Sequence, residues 1–278
     1  MTYKIVSDSA ANLLKLKSDI PYARVPLTIS TAEREFVDDE SLDIKDMLHY
    51  LKAYKGKSGS ACPSVAAWLE AFGDAENVFA VAITSGLSGS YNSACVAKEE
   101  YETTHPGRKV HVIDTLSAGA EMSLVIEKIE ELIQQGKTFE AICEEVRIYR
   151  EHTGLLFSLE SLKNLANNGR VSPVIARLAG TLGICVVGKA SEQGTLEQLS
   201  KCRGEKKALL TLYKYMKDLG YAGGKVRIDH CLNEKAAEQL KSMILEEYPG
   251  AGVEVDITRG LCSFYAEIEG MLIGFEKG

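Results

Sequence analysis

The amino-acid sequence predicts an α/β protein of two domains, and three observations support this fold class. Short runs rich in β-branched residues alternate with longer segments in which apolar residues recur at helical spacing. The run from Val78 to Ile83 is almost wholly apolar, as expected for a strand covered on both faces of its sheet. A chain of 278 residues is also longer than one ordinary domain.

The predicted strands are short apolar runs that end in small polar residues. The first, Tyr3 to Val6, stops at Ser7-Asp8-Ser9-Ala10, which favours a turn into a helix. The other predicted strands are Arg24 to Ile29, Val78 to Ile83, Val110 to Ile113, Gly154 to Phe157, Ile184 to Val187, Lys225 to Asp229, Val253 to Ile257 and a stretch ending near Phe275.

The predicted helices lie between these strands. Apolar residues at one-turn spacing predict a helix from Asp43 to Tyr54 and another after Asp114. Leu159, Leu162 and Leu165 lie on one face of a predicted helix that ends at Asn168-Gly169. Ser172 followed by Pro173 predicts the start of the next helix, because these residues suit the N-cap and the first helical position. Further helices are expected at Val65 to Phe72 and from Thr138 onward.

The domain boundary is predicted near residues 151–153, after the charged helix that starts at Thr138. The first domain then comprises residues 1–152 and the second comprises residues 153–278. The segment from about residue 57 to residue 76 is a candidate for packing with the second domain. Repeats, low-complexity tracts and a linker rich in Pro, Gly or Ser are absent from the sequence.

Composition and charge narrow the class of protein. The formal net charge is −7 and no long run of Lys or Arg occurs, so a nucleic-acid binder is not expected. The seven cysteines are scattered singly, which argues against a disulfide framework or a C-x-x-C metal site. The sequence contains neither a signal-peptide pattern nor an apolar run long enough to cross a membrane. We therefore expect a cytoplasmic protein.

The most informative stretch runs from Thr84 to Ser93, where a buried strand gives way to hydroxyls and glycines before a new helix. Backbone N–H groups, hydroxyl donors and the positive end of a helix would together hold an anionic head group there. An ordinary capped turn is the alternative reading. The stretch is neither the G-x-S-x-G elbow of serine hydrolases nor a P-loop, since Ser90 replaces the second glycine and no Gly-Lys-Ser/Thr follows.

Two further hydroxyl clusters could face the same crevice. One is Ser58 to Ser64, which taken alone is a loop and N-cap, and the other is Asp114 to Gly119, after a strand. Ligands in open α/β sheets collect at the carboxyl ends of strands, so turns of this kind could share one ligand.

Metal-binding and catalytic patterns are missing. The five histidines lack the H-x-x-x-H or H-E-x-x-H spacing of metal sites, so neither a metal nor another cofactor is predicted. Nothing in the sequence pairs a histidine with the hydroxyls between Thr84 and Ser93, so no residue is predicted to be catalytic and hydrolysis is a weak alternative.

Several short motifs, in a fixed order over nearly the whole chain, resemble the DegV family, which includes the fatty-acid-binding subunits of bacterial fatty acid kinase. The most specific are Ser60-Ala61-Cys62-Pro63-Ser64 against T-S-x-P-S and Thr84-Ser85-Gly86-Leu87-Ser88-Gly89-Ser90-Tyr91 against S-S-G-L-S-G-T-Y. The others are Ile5 to Leu13, Val25-Pro26-Leu27, Val112 to Ala118, Asn168-Gly169-Arg170-Val171-Ser172 and Lys201-Cys202-Arg203-Gly204.

The resemblance implies an N-terminal domain with a largely parallel sheet, a C-terminal domain with a mixed sheet, and a lipid tunnel between them. It also implies that the hydroxyls of Ser88 and Ser60 bind the carboxylate of a fatty acid, and that Arg170 and Arg203 face a kinase subunit. A solvated helix end is the alternative for either arginine, more so for Arg203. The residues expected to bind the ligand are Ser60, Ser64, Thr84, Ser85, Gly86, Ser88, Gly89 and Ala266.

One departure from the family affects the expected head-group pocket. The family usually carries G-x-V-I-G-x-H-x-G-P-G where this chain has Gly260 to Gly270, and an ungapped register places Ala266 at the histidine. Glu267 and Glu269 would then bring negative charge near a bound carboxylate, unless they point to solvent.

These inferences predict a carrier that binds a long-chain fatty acid and presents it to a separate fatty acid kinase for acyl-phosphate formation, with transient membrane contact. Burying a sixteen-carbon chain at ~0.8 kcal/mol per methylene gives on the order of 12 kcal/mol before the costs of binding. The alternatives are a binding protein for another apolar ligand without a kinase partner and a hydrolase or transferase using Ser88.

Overall fold

The first sheet of the protein consists of four parallel strands. In the computed structural model, which describes residues 2–172 and 183–278, they are β1 (Tyr3–Asp8), β2 (Tyr22–Val25), β6 (Asn77–Ala82) and β7 (Lys109–Asp114). Their order in the sheet is β2-β1-β6-β7. Every residue of β6 is buried, which agrees with its apolar sequence.

Helices cover both faces of this sheet. One face packs on α2 (Val65–Phe72) and α3 (Ser90–Thr104), with Trp68 and Phe72 in the layer between. The other face packs on α4 (Ala120–Gln134) and α5 (Phe139–Glu151). A single 3₁₀ turn, Ser9–Ala11, follows β1 directly. The carboxyl ends of β1 and β6 therefore open toward the same edge.

The second sheet is mixed and has six strands. They are β8 (Thr153–Leu159), β9 (Ile184–Ala190), β10 (Leu196–Arg203), β11 (Val226–His230), β12 (Val253–Ile257) and β13 (Met271–Glu276), in the order β10-β9-β8-β13-β11-β12. Only β11 and β12 run parallel among the described pairs, and β13 lies between β8 and β11. The predicted α/β class, with one parallel and one mixed sheet, is confirmed.

Four more helices pack with the second sheet or lie at its edge in the described chain. They are α6 (Lys163–Asn167), α7 (Glu205–Asp218), α8 (Glu234–Glu247) and α9 (Gly260–Ala266). Helices α7 and α8 cover one face through Leu209, Leu212 and Leu240. Helix α9 lies on the other side, toward the first sheet, where Leu261 joins the core around α4.

A small antiparallel sheet lies beside this junction. It is formed by β3 (Thr28–Ser30), β4 (Glu35–Val37) and β5 (Gly59–Ala61), and helix α1 (Ile44–Ala53) packs on it. Asp43 caps α1 by accepting from the N–H of Asp46 at 3.0 Å. This sheet brings β5, which the sequence indicated only as a loop, next to α9.

Two sequence predictions about elements are wrong. The single strand predicted from Arg24 to Ile29 is two strands in different sheets, because the chain leaves the first sheet at Pro26-Leu27, where the N–H of Leu27 donates to the Ser9 hydroxyl. Leu159 belongs to β8 rather than to the helix predicted before Asn168, and α6 is correspondingly short. The helix predicted to start at Ser172-Pro173 lies outside the described residues.

The domain boundary between residues 152 and 153 stays a prediction. Strand β8 begins at Thr153, after all strands of the first sheet. The segment 57–76 contacts both parts, since β5 joins the small sheet while α2 packs on the first sheet. Within the described ranges, every helix is too short or too polar to span a bilayer.

Candidate functional site

A largely apolar pocket lies between the two large sheets. It contains about 770 Å³ of empty space, part of which opens to solvent. Its walls come from the ends of both sheets, from α6 and from α9. The apolar lining residues are Leu27, Ile83, Leu87, Ala118, Leu155, Leu159, Leu165, Ala190, Leu196, Leu261, Cys262, Ala266 and Leu272.

Six residues with hydroxyl groups line this wall: Ser60, Thr84, Ser88, Ser117, Thr195 and Tyr265. Three of them, Ser60, Ser88 and Tyr265, are linked directly or through Leu87 to Arg170, and we call this group the hydroxyl end. The Ser60 and Tyr265 oxygens are 2.7 Å apart, so one hydroxyl donates to the other. Ser88 lies in the turn between β6 and α3, and its oxygen accepts from the N–H of Ser90 at 3.3 Å. The structure thus places two sequence-predicted ligand residues, Ser60 and Ser88, on one pocket together with Tyr265.

Thr84 also lines the pocket, but its hydroxyl proton is already used. It donates to the carbonyl of Gly194 at 2.9 Å, and the same oxygen accepts from the N–H of Gly86 at 3.1 Å. Gly194 and Thr195 belong to the turn between β9 and β10, and together with Leu196 at the start of β10 they close this side of the pocket. We call residues 191–195 the hairpin tip. Thr84 therefore fastens the hairpin tip to the first sheet.

The fit between the hairpin tip and the turn after β6 depends on two glycines. Gly194 has a φ of +70°, and a Cβ atom there would lie 2.0 Å from the Thr84 hydroxyl oxygen. A Cβ atom on Gly86 would lie 2.7 Å from the carbonyl oxygen of Gln193. Both positions therefore exclude larger residues, which gives these glycines a packing role.

Four predicted ligand residues lie off the pocket wall: Gly86, whose packing role is given above, and Ser64, Ser85 and Gly89. Ser64 is exposed and caps α2 by accepting from the N–H of Ala67 at 3.2 Å. Ser85 is exposed, and its N–H donates to Asp114 at 3.1 Å. Gly89 precedes α3 and approaches the Cys62 thiol. Their hydroxyls and backbone are thus absent from the lining residues that the structure describes, and their role in binding stays a prediction.

The two predicted partner-binding arginines differ in their surroundings. Arg170 lines the pocket, where its guanidinium donates to the carbonyls of Leu87 at 3.2 Å and Asn168 at 2.7 Å. It also lies over the Tyr265 ring, 5.6 Å from the ring centre. Arg203 is exposed at the end of β10 and has no pocket contact in the described chain. Arg170 is therefore the one Lys or Arg among the described residues that line the pocket.

Ala266 is buried on the pocket wall, and the glutamates that follow it are directed elsewhere. Glu267 accepts from the Ser161 hydroxyl at 2.7 Å and from the N–H of Asn164 at 3.2 Å, which ties it to the start of α6. Burial and the nearby carboxylates of Glu160 and Glu205 raise the pKa of Glu269. Neither glutamate is among the described lining residues, so the expected negative charge does not enter this wall.

A second polar region, which we call the carboxylate layer, lies just behind the pocket and consists of Asp8, Asp38 and Asp229. Asp8 accepts from the N–H of Ile83 at 2.9 Å and the Ser90 hydroxyl at 2.7 Å. Burial raises its pKa to about 6 despite these donors. The layer thus joins the end of β1 to the turn that carries Ser88.

The other two carboxylates of this layer fasten the second half of the chain. Asp38 accepts from the N–H groups of Gly260 at 2.8 Å and Leu261 at 2.9 Å, and it faces the buried Arg24 at 3.9 Å. Asp229 accepts from the Asn12 amide at 2.6 Å, and burial raises its pKa to about 7. All three carboxylates therefore act within the fold rather than on the pocket wall.

Sequence reasoning missed Tyr265, Thr195 and Arg24. Tyr265 immediately precedes Ala266, which was predicted to line the head-group pocket, but a tyrosine near an apolar segment is usually a core residue. Its contact with Ser60 depends on β5, which was not predicted. The described residues also contain no group of three or more His, Cys, Asp or Glu side chains that could hold a metal ion.

Comparison with known proteins identifies the family. The sequence profile described as "Uncharacterised protein, DegV family" matches residues 2–270. A DegV domain-containing protein of Streptococcus pneumoniae R6 is 47% identical over 279 residues, which cover 99% of both chains.

Solved structures with the same fold contain fatty acids. The fatty acid kinase B3 protein of S. pneumoniae, loaded with linoleic acid, is 47% identical with a TM-score of 0.98, and 100% of both chains is covered. A DegV family protein of Eubacterium eligens, loaded with heptadecanoic acid, is 46% identical with a TM-score of 0.97 and the same coverage. The match of the family profile, the identity of these relatives and the shared architecture together show that the chain belongs to the DegV family.

Proposed function

We propose that this protein is a non-enzymatic carrier that binds one long-chain fatty acid, with the acyl chain in the pocket between the sheets and the carboxylate at the hydroxyl end. The observation that carries this proposal is a largely apolar pocket wall with three hydroxyl residues grouped around its lining arginine. Apolar side chains from both sheets line most of it, whereas Ser60, Ser88 and Tyr265 gather near Arg170. The fatty acids held by the two relatives at 46% and 47% identity support the same ligand class.

The physical balance favours an apolar anion. Each buried methylene of the ligand contributes about 0.8 kcal/mol, so the acyl chain supplies most of the affinity. Neutral hydroxyl donors then need only orient the carboxylate, and a hydrogen bond to a charged acceptor contributes roughly 1.5–3 kcal/mol. Arg170 adds positive charge at the same end without a carboxylate neighbour among the described lining residues.

We further propose that the loaded protein presents its fatty acid to a separate kinase in the cytoplasm, after transient contact with a membrane. The name of the pneumococcal relative, the B3 protein of fatty acid kinase, supports this partner class. Arg203 is exposed and Arg170 lies at the pocket, so both could meet the anionic product or the partner. The kinase would supply nucleotide and metal.

The first experiment tests the ligand and the head-group contact together. Protein purified from a bacterial host should carry about one equivalent of fatty acid, measured by native mass spectrometry and lipid extraction. After delipidation, Ser88→Ala should weaken binding of oleic acid by roughly tenfold but leave its methyl ester nearly unchanged. Ser242→Ala is the control, since Ser242 is exposed on α8 and its hydroxyl donates to the Glu238 carbonyl, away from the pocket.

The outcomes separate the alternatives. Absence of an acyl chain from folded protein, with no uptake of oleic acid, would refute the lipid proposal. Another extracted apolar compound would favour a binding protein without a kinase partner. Cleavage of the methyl ester that depends on Ser88 would indicate a hydrolase instead.

The second experiment tests the partner. Acyl-phosphate formation from loaded protein, ATP and a purified fatty acid kinase subunit should fall strongly in Arg170→Ala and Arg203→Ala when each variant is loaded to the same fatty acid content as the wild type. Lys214→Ala, on the exposed side of α7, is the control. Unchanged turnover in both arginine variants would contradict their assignment to the partner face.

A further inference from the structure

The side chain of Tyr265 occupies a position that the proposed function does not yet explain. It lies on α9 with its ring packed edge-on against Phe264, 4.7 Å between centres, and it lines the pocket. Its hydroxyl meets the Ser60 hydroxyl of β5 at 2.7 Å. Two elements that are 205 residues apart in sequence are therefore joined by one hydroxyl pair at the pocket wall.

The hydroxyl pair holds one proton more than it uses. Each oxygen carries one O–H group, and the bond between them consumes only one of the two protons. Within the described residues, neither hydroxyl has another hydrogen-bond partner. The pair consequently presents one unused donor to the pocket.

The order of donation follows from acidity. A phenol is more acidic than an aliphatic alcohol, so Tyr265 is the better donor and Ser60 the better acceptor within the pair. A Ser60 oxygen that accepts this bond has a more polarised O–H group, which strengthens the bond that Ser60 itself donates. The second proton, on Ser60, is then available to an anion at the hydroxyl end.

The Tyr265 ring also helps to hold a positive charge at the same end. Arg170 lies over this ring at 5.6 Å while its guanidinium donates to the carbonyls of Leu87 and Asn168. Leu87 immediately precedes Ser88 in the turn after β6. Tyr265 thus contacts both the β5 hydroxyl and the cation that is fixed to the Ser88 turn.

We propose that Tyr265 is a positioning residue for a carboxylate head group: it donates to Ser60, orients the Ser60 proton toward the carboxylate, and holds Arg170 at that end of the pocket. This inference rests on the proposed function, because it assumes that the carboxylate of a fatty acid occupies the hydroxyl end. It adds a residue that acts through Ser60 rather than by direct contact. It also makes Ser60 and Tyr265 energetically coupled.

The experiment uses delipidated full-length protein with oleic acid and its methyl ester as probes. Tyr265→Phe should weaken binding of the acid by about three- to tenfold and change binding of the ester by less than about twofold. In a Ser60→Ala background, Tyr265→Phe should cause no further loss of acid-over-ester preference, since the hydrogen bonds from Tyr265 to Ser60 and from Ser60 to the carboxylate are already absent. Tyr213→Phe is the control, as the hydroxyl of Tyr213 on α7 donates to the Glu247 carboxylate of α8, away from the pocket.

A second readout follows the ligand itself. The carboxyl ¹³C signal of bound [1-¹³C]oleic acid, followed against pH, should show an apparent pKa that is raised by roughly half a unit or more in Tyr265→Phe, because the anion loses part of its stabilisation. Tyr213→Phe should leave that pKa unchanged. A purely structural Tyr265 would alter the melting temperature without moving the signal.

Three results would overturn the inference. The first is an equal loss of acid and ester affinity in Tyr265→Phe, and the second is an unchanged ¹³C titration in that variant. The third is an undiminished effect of Tyr265→Phe in the Ser60→Ala background, which would indicate that the phenol contacts the carboxylate directly. Wild-type protein that binds neither probe would instead refute the proposed function and this inference with it. Wild-type binding with unaffected Tyr265→Phe would refute this inference alone.

Discussion

The carboxylate layer bonds backbone N–H groups of residues that line the pocket, and the hydroxyl end lies on the pocket wall itself, but their hydrogen bonds are completed differently. Asp8, Asp38 and Asp229 each accept hydrogen bonds from donors of the protein itself. The Ser60 and Tyr265 pair keeps a proton that no described group accepts. Completed bonding stabilises the fold, whereas an unused donor next to a cavity is available to a ligand.

This difference predicts that substitutions in the two regions separate stability from binding. Changes in the carboxylate layer should alter unfolding and its pH dependence while leaving the preference for acid over ester. Changes on the pocket wall should alter the preference for acid over ester while leaving unfolding and its pH dependence nearly unchanged.

The largest effect is expected for Asp38→Asn. The neutral side chain would leave the Arg24 guanidinium buried without its ion-pair partner, and all three Arg24 nitrogens already lack hydrogen-bond partners in the described chain. Breaking a buried pair in this way costs roughly 3–5 kcal/mol. Urea denaturation of the delipidated protein measures this loss.

The control for this substitution is Asp46→Asn, which breaks a surface pair with Arg34 whose side chains are 52% and 47% exposed. It should cost less than about 1 kcal/mol. Similar losses in the two variants would mean that the Arg24 charge is satisfied by other means.

The second largest effect is expected for Asp229→Asn, which should change the pH dependence of stability. Because the folded protein holds this carboxyl with a pKa of about 7, it binds a proton that the unfolded chain releases above pH ~3.9. The free energy of unfolding should therefore fall as pH rises between these values, by up to ~1.4 kcal/mol per pH unit. The contribution is fully present below pH ~3.9 and is lost above pH 7.

Asparagine cannot titrate but can still accept from Asn12, so the variant should lose this slope. Relative to the wild type it should gain roughly 2 kcal/mol between pH 5 and pH 7. Parallel stability curves for the two proteins would show that Asp229 is ionised in the folded state at pH 5.

A smaller effect is expected at the hairpin tip. Thr84→Val keeps the shape of the side chain but removes the bond to the Gly194 carbonyl, worth about 1 kcal/mol. If the hairpin tip opens when a ligand leaves, dissociation of bound fatty acid should accelerate about fivefold, measured by stopped-flow transfer to vesicles. Thr84→Ser retains the hydroxyl and should dissociate like the wild type. Identical rates for Thr84→Val and wild type would place the exit elsewhere.

The smallest expected effect is a gain of binding in Ala266→His. An imidazole on this wall could pair with the carboxylate below its pKa of ~6.5, so oleic acid should bind roughly two- to fivefold more tightly at about pH 6 than at about pH 8. The methyl ester should gain much less. Absence of any gain for the acid at either pH would mean that the carboxylate does not lie next to residue 266.

The sequence was most informative where local pattern and burial agree. Helix α1 was predicted from Asp43 to Tyr54 and spans Ile44–Ala53, because its apolar spacing and Asp43 cap are local signals. Strand β6 was predicted within one residue, since its wholly apolar run reflects burial on both faces. These elements position the turn with Ser88.

Features that depend on distant pairing were not predictable in the same way. Strand β5 is Gly59–Ala61, three small residues without strand propensity, and it exists because β3 pairs with it. Without β5, nothing in the sequence connects Ser60 to Tyr265. The buried ion pair of Arg24 with Asp38 likewise depends on the interruption of the strand at Pro26. The pattern from Arg24 to Ile29 predicted one continuous strand and gave no sign of this interruption.

The position of β13 within the second sheet has a consequence for how the protein folds. Strand β8 ends at Leu159, and its neighbour β13 starts only at Met271. The two strands can therefore pair only after more than a hundred intervening residues have been brought into place. Contacts of such sequence separation form slowly. The pocket wall that Leu155 and Leu272 share should therefore be among the last parts to assemble, and its apolar surface would be exposed in intermediates that lack β13.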